Sequence, residues 1–209
     1  SKTMHIGHGL MRFASGKMSS RTGNVITAES LLADIREMVA EKIASRGFGE
    51  GEASEISDII AVGAIKYSIL RSAIGSDIIF DSAKSISFEG DSGPYLQYSA
   101  VRAASILEKA MQEGISQVMD SLPEKVSLVE KLLIRFPEVI ARAKAEYAPQ
   151  GVANYLMSLA GAFNSFYATQ VIVDKKDKLS PYYVALTKAF RQTMVNGLWV
   201  LGIKVPEGM

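Results

Sequence analysis

From Tyr95 to the end of the chain, apolar residues recur at the three- and four-residue spacing of an α-helix, and this restricts the possible folds more than any other feature. Leu96, Val101, Ala104, Leu107 and Met111 mark one stripe. Leu128, Leu132 and Leu133 begin another, which Pro137 should end or kink by removing an amide and crowding the preceding turn. Val139, Ile140, Ala143 and Tyr147 continue beyond it. Val152, Leu156, Leu159, Phe163 and Phe166 build a further helix, closed by the polar run 174–178. Ser180 and Pro181 open the last, which carries Leu186, Phe190, Met194, Leu198 and Leu201, with Trp199 expected in the core. Four or five helices with such faces bury them against one another, so residues 95–209 are expected to form a bundle.

The upstream part reads differently. Residues 1–13 form a short apolar segment with glycines and no capping residue, read as a strand of a sheet whose other strands lie elsewhere. Thr27 is a good N-cap, and Glu29 then sits in the first turn, where the helix dipole favours an acid. Leu31, Leu32, Ile35, Met38, Val39 and Ile43 predict an amphipathic helix over 28–45, stopped by Gly47. A loop over 47–53 should end at the N-cap Ser54, with Ile56, Ile59, Ile60, Gly63, Tyr67 and Leu70 on a second helix. Residues 75–94 show no sustained period and read as extended or turn structure. Pro94 is placed as the first residue of the next helix.

Charge narrows the function classes. The formal net charge is only +1, but residues 1–22 hold Lys2, Arg12, Lys17 and Arg21 with no acid, whereas residues 23–60 hold eight acids against Arg36, Lys42 and Arg46. A positive head points to an anionic ligand near the start. There are no cysteines, which excludes disulfides, thiolate catalysis and cysteine-ligated zinc. His5 and His8 are the only histidines, so a metal site would have to rely on carboxylates, and none is expected. The absence of any apolar run of about 18 residues and of a basic, then apolar, leader argues against a membrane span or secretion.

The stretch Gly16-Lys17-Met18-Ser19-Ser20-Arg21-Thr22-Gly23-Asn24 combines two cations, three hydroxyls and flanking glycines that let backbone amides approach an anion. It lacks the order of a P-loop. It resembles the KMSKS loop of class I aminoacyl-tRNA synthetases, which clamps the phosphates of ATP. Ser20 stands where the general class I pattern has a second lysine. Phe88-Glu89-Gly90-Asp91-Ser92-Gly93-Pro94-Tyr95-Leu96-Gln97-Tyr98, followed by Arg102 and Ser105-Ile106-Leu107, resembles the GPYLQYAxxR opening of the helical anticodon-binding domain of arginyl-tRNA synthetases. Asn154-Tyr155-Leu156, Phe163-Asn164-Ser165-Phe166-Tyr167 and the tail from Trp199 through Pro206 to Met209 are similar to that family too, and the segments fall in family order.

The resemblance implies the C-terminal part of an arginine-tRNA ligase, mainly α. Residues 1–27 would end the class I nucleotide-binding domain, 28–94 would be stem-contact and connecting helices, and 95–209 the all-helical anticodon-binding domain. In that family ATP, carried with Mg²⁺ by its phosphates, activates arginine, which then passes to tRNA(Arg). His5-Ile6-Gly7-His8 spells the HIGH tetrapeptide of class I enzymes, but only eight residues separate His8 from Lys17. So short a hairpin cannot supply both lobes of the site, and the match is read as coincidence, with the genuine HIGH expected elsewhere in a longer enzyme. The fragment is expected to be inactive alone, monomeric and cytoplasmic.

The resemblance carries roles onto individual residues. Lys17 would stabilise charge on departing pyrophosphate, with Met18, Ser19, Ser20 and Arg21 completing the ATP grip. Tyr95, Tyr98 and Arg102 share one helix face, where rings stack on unpaired bases and a guanidinium grips phosphate or base. Phe163 and Tyr167 repeat the device, and Met209 joins them near the anticodon loop. The alternative is a free-standing helical RNA-binding module with a vestigial loop.

Overall fold

The computed structural model describes residues 3, 5–7, 9–14, 27–115 and 121–209. Strand β1 (Met11–Phe13) pairs in parallel with β2 (Ile78–Phe80), Met11 opposite Ile78 and Phe13 opposite Phe80. A parallel pair needs a crossover. Here it is made by α1 (Ala28–Ile43) and α2 (Glu50–Leu70). The Leu10 amide and the Arg12 guanidinium both reach the Asp77 carboxylate, at 3.0 and 2.8 Å. Among the described residues only Met11–Phe13 of the expected N-terminal strand is β-structure. Before it, Gly9 runs so close to the chain at Ser76 that a Cβ would lie 2.1 Å from that carbonyl oxygen.

Helix α1 begins where the sequence places it, the Thr27 hydroxyl accepting from the Ser30 amide at 3.1 Å. It buries Leu31, Ile35, Val39 and Ile43 against Ile56, Ile60, Ala61 and Ala64 of α2, over Phe80 and Ile86. A 3-10 turn over Ala44–Arg46 follows, ended by Gly47 at φ 77°, a left-handed conformation that glycine adopts without steric cost. Helix α2 starts at Glu50, not after Ser54 as expected. Glu50 and Glu52 suit the positive end of the helix dipole, so the helix extends back to Gly49, and Ser54 is an exposed position within it.

After the short α3 (Ser82–Ser85), capped by Asp81, helix α4 (Gly93–Gln112) starts at Ser92, whose hydroxyl accepts from the Tyr95 amide at 3.1 Å. Pro94 therefore stands second in the helix, where its missing N–H also costs nothing. Helices α5 (Leu128–Leu133) and α6 (Phe136–Glu146) are separate, and Pro137 lies in the first turn of α6. A capping box between Ser127 and Glu130 opens α5. Helices α7 (Pro149–Thr169) and α8 (Ser180–Val200) complete a mainly α fold.

The bundle core runs through Leu96, Ala100, Ala103, Leu156, Leu159, Phe163, Phe190, Met194 and Leu198. On α4 the buried line is built largely of alanines, and Met111, expected inside, is 75% exposed. Trp199, also expected inside, is 78% exposed, because Phe190, Met194, Leu198 and Leu201 form the buried row and Trp199 falls one position off it. Helices α2 and α4 cross with almost no space between them. A Cβ on Gly93 would lie 2.5 Å from the Gly63 carbonyl oxygen, and one on Gly63 within 2.7–2.9 Å of the Gln97 amide group. The buried Gln97 uses that gap to donate to the carbonyls of Ile59 on α2 (3.2 Å) and Lys204 in the C-terminal tail (2.7 Å). Lys66 donates to Gly202 at 2.5 Å, so the tail is strapped back over α2.

Candidate nucleic-acid interface

Four segments converge on Tyr98. Its own helix contributes Arg102, whose guanidinium carbon lies 4.7 Å from the Tyr98 ring centroid and 5.4 Å from that of Tyr167 on α7. Phe88, in the loop before α4, meets Tyr98 edge-to-face at 6.3 Å. Arg46, in the turn after α1, lies 5.3 Å from the centroid of Phe88 and 5.8 Å from that of Tyr98. A partly exposed run of ring, cation, ring, cation results, with Tyr167 43% exposed.

A hydrogen-bond network underneath fixes its register. Arg102 Nη1 donates to Asn164 Oδ1 at 2.6 Å, and Asn164 Nδ2 donates to the Tyr95 hydroxyl at 2.8 Å and to Ser99 Oγ at 3.1 Å. The Ser99 hydroxyl in turn donates to the Tyr95 carbonyl. One α7 side chain thus satisfies three α4 groups, and Arg102 is anchored at one end, with no second side-chain hydrogen bond among the described residues. Below, Tyr67 donates to Asp91 at 2.5 Å and Arg71 pairs with the same carboxylate, tying the loop ahead of α4 to α2. Burial and the Asp91 carboxylate hold the Tyr67 phenol well above its ordinary range, so it stays a donor.

The structure brings together Tyr98, Arg102 and Tyr167 of the expected site. Tyr95 is half-buried with its hydroxyl engaged by Asn164, so it positions the network. Phe163 is a correction. It is 0% exposed and stacked on Phe190 with centroids 3.8 Å apart, which leaves no surface for a base and makes it a core residue. Met209 is half-buried against the α1–α2 core, as are Phe48 and Phe88. Lys17, Met18, Ser19, Ser20 and Arg21 lie outside the described residues. Among the described residues no helix is long and apolar enough to cross a membrane. The sequence marks Arg46 only as one of three cations in an acidic stretch and shows Asn164 only as part of a motif, with no role for either. The bond from α4 to α7 spans 62 positions, and spacing along one helix cannot signal it.

Rings and guanidinium groups thus alternate across α4 and α7, the kind of surface on which unpaired bases can stack. The family model of the DALR anticodon binding domain matches residues 96–209, and the chain belongs to that family. It is similar to an arginine–tRNA ligase of Borrelia hermsii, 37% identical over 99% of this chain and 36% of that protein. A second, from Halobacterium salinarum, is also 37% identical, over 100% of this chain and 33% of its own length. Among solved structures, Thermus thermophilus arginyl-tRNA synthetase superposes with a TM-score of 0.81 at 25% identity, covering 97% of this chain and 35% of that one. The chain thus spans about a third of the length of the relatives it matches.

Proposed function

We propose that this chain is the C-terminal part of an arginine–tRNA ligase and that its bundle reads the anticodon loop of tRNA(Arg). The observation that carries the reading is the bridging of Tyr98 and Tyr167 by Arg102 within the matched domain. Unpaired bases stack on exposed rings, and a guanidinium fixed at one end by Asn164 offers its free N–H groups to a base edge or phosphate. Met209 adds the exposed part of its side chain at the α1–α2 edge. Residues 1–27, 28–94 and 95–209 are taken as the end of the nucleotide-binding domain, the connecting helices and the anticodon-binding domain.

In the complete enzyme, which we take to be a cytoplasmic monomer, ATP with Mg²⁺ activates arginine before transfer. Lys17 supplies positive charge to the departing pyrophosphate, and Met18, Ser19, Ser20 and Arg21 line the same loop. Arginine charging by the full-length gene product tests this reading. Lys17→Ala should lower the rate about 10²–10³-fold while leaving tRNA affinity in place. A full-length protein that charges tRNA with no arginine would overturn the reading.

A further inference from the structure

Arg46 stands outside the matched domain, in the turn that ends α1, yet it lies over two rings of the ladder. It is exposed, and among the described residues its side chain has neither an ion pair nor a hydrogen bond. A guanidinium that rests on aromatic rings keeps its in-plane N–H donors turned outward, in the fork geometry that matches two oxygens of a phosphate. The surrounding charge restricts what can dock. Along α1 the exposed acids Glu29, Asp34, Glu37 and Glu41 outnumber Arg36, which is paired to Asp58, and Lys42 in the last turn, so the helix disfavours a polyanion along most of its length, and Lys42 and Arg46 offer cations where it ends.

We infer that Arg46 is a phosphate clamp for the RNA strand that stacks on Tyr98 and Tyr167, extending the interface from the bundle onto the α1–α2 unit. The inference rests on the proposed function. It divides the labour between two arginines: Arg102 is held by Asn164 between two rings and set to read, whereas Arg46 is held only by ring faces and set to grip. Phe88 connects them, since it touches Arg46 on one side and Tyr98 on the other.

The test is binding of this chain to transcribed tRNA(Arg) and to the same tRNA with a replaced anticodon, across about 50–200 mM salt. Arg46→Ala should weaken both complexes by the same factor, roughly 5- to 10-fold at the low-salt end, and reduce the salt slope by about one. Arg46→Lys should recover most of the loss and the slope, because a phosphate accepts a point charge. Unchanged affinity and slope in Arg46→Ala would overturn the inference. So would a loss confined to the native anticodon, which would make Arg46 a base reader, or a failure of lysine to rescue, which would make it a stacking group only. If the unaltered chain ignores tRNA(Arg), the functional reading itself falls; if it binds and Arg46→Ala binds equally, only the clamp falls.

Discussion

Asn164 on α7 accepts from the Arg102 guanidinium on α4 at 2.6 Å while donating to Tyr95 and Ser99. One amide therefore decides where the guanidinium points between the Tyr98 and Tyr167 rings. Asn164→Ala should leave two hydroxyls and a guanidinium without their partner and cost about 1–3 kcal/mol in denaturant unfolding. It should also weaken tRNA binding although Asn164 need not touch RNA. Asn164→Asp keeps the acceptor but loses the donor to Tyr95 and Ser99, so it should recover only part of the loss.

Phe163 and Tyr167 lie one helical turn apart and should behave oppositely. Phe163→Ala empties a stacked core position and should destabilise by about 3–5 kcal/mol. Tyr167→Ala removes an exposed ring, so unfolding should shift by no more than about 0.5 kcal/mol. Its tRNA affinity, however, should fall about 5- to 100-fold, the range expected for one lost base stack. Parallel unfolding and binding titrations of the two variants check this contrast.

What was legible in the sequence follows from how far each signal reaches. Thr27, Pro94 and Pro137 act within a few residues, through a cap and missing amides, so the starts of α1 and α4 and the break between α5 and α6 were legible to within a few residues. Ser54 misled because it resembles a cap, whereas the acids Glu50 and Glu52 already stabilise an earlier start. On α4 the large side chains drew attention to one stripe, but the neighbouring helices approach closely enough for alanines to fill the buried line, leaving Met111 outside. Trp199 could have been placed outside from its position one step off the Phe190–Met194–Leu198 row. Tyr98 and Arg102 were legible as a pair on one helix face. Arg46, Phe88 and Asn164 join them only through tertiary packing, which no local spacing records.

The crossing of α2 and α4 gives a stability prediction. Gly93→Ala places a methyl against the Gly63 carbonyl, which cannot yield without moving α2, and should cost about 1–3 kcal/mol or more. Gly63→Ala meets the Gln97 side chain and would displace it from the Ile59 and Lys204 carbonyls, loosening the C-terminal tail. Chemical unfolding should rank Gly93→Ala as the more damaging. Limited proteolysis should cut the tail sooner in Gly63→Ala.

Alkaline pH should unfold the protein through its buried phenols. Burial, with Asp91 accepting its hydrogen bond, raises Tyr67; burial raises Tyr155 to about 12; and burial, with the negative charge of Glu130 beside it, raises Tyr182. Each has a folded-state pKa above that of the unfolded chain, so its contribution is complete below about pH 10 and is lost as pH rises through the folded-state values. Phenolate absorbance from these three should therefore appear together with loss of the helical circular dichroism signal. Tyr67→Phe should remove part of that coupling.

The central claim is that the α4–α7 ladder reads an anticodon. Binding of this chain at low salt to transcribed tRNA(Arg), and to the same tRNA with its anticodon replaced, tests it most directly. The account predicts tighter binding to the native anticodon and loss of that preference when Tyr98→Ala and Arg102→Ala are combined. Equal binding of the two tRNAs, or a double variant that still prefers the native one, would contradict it.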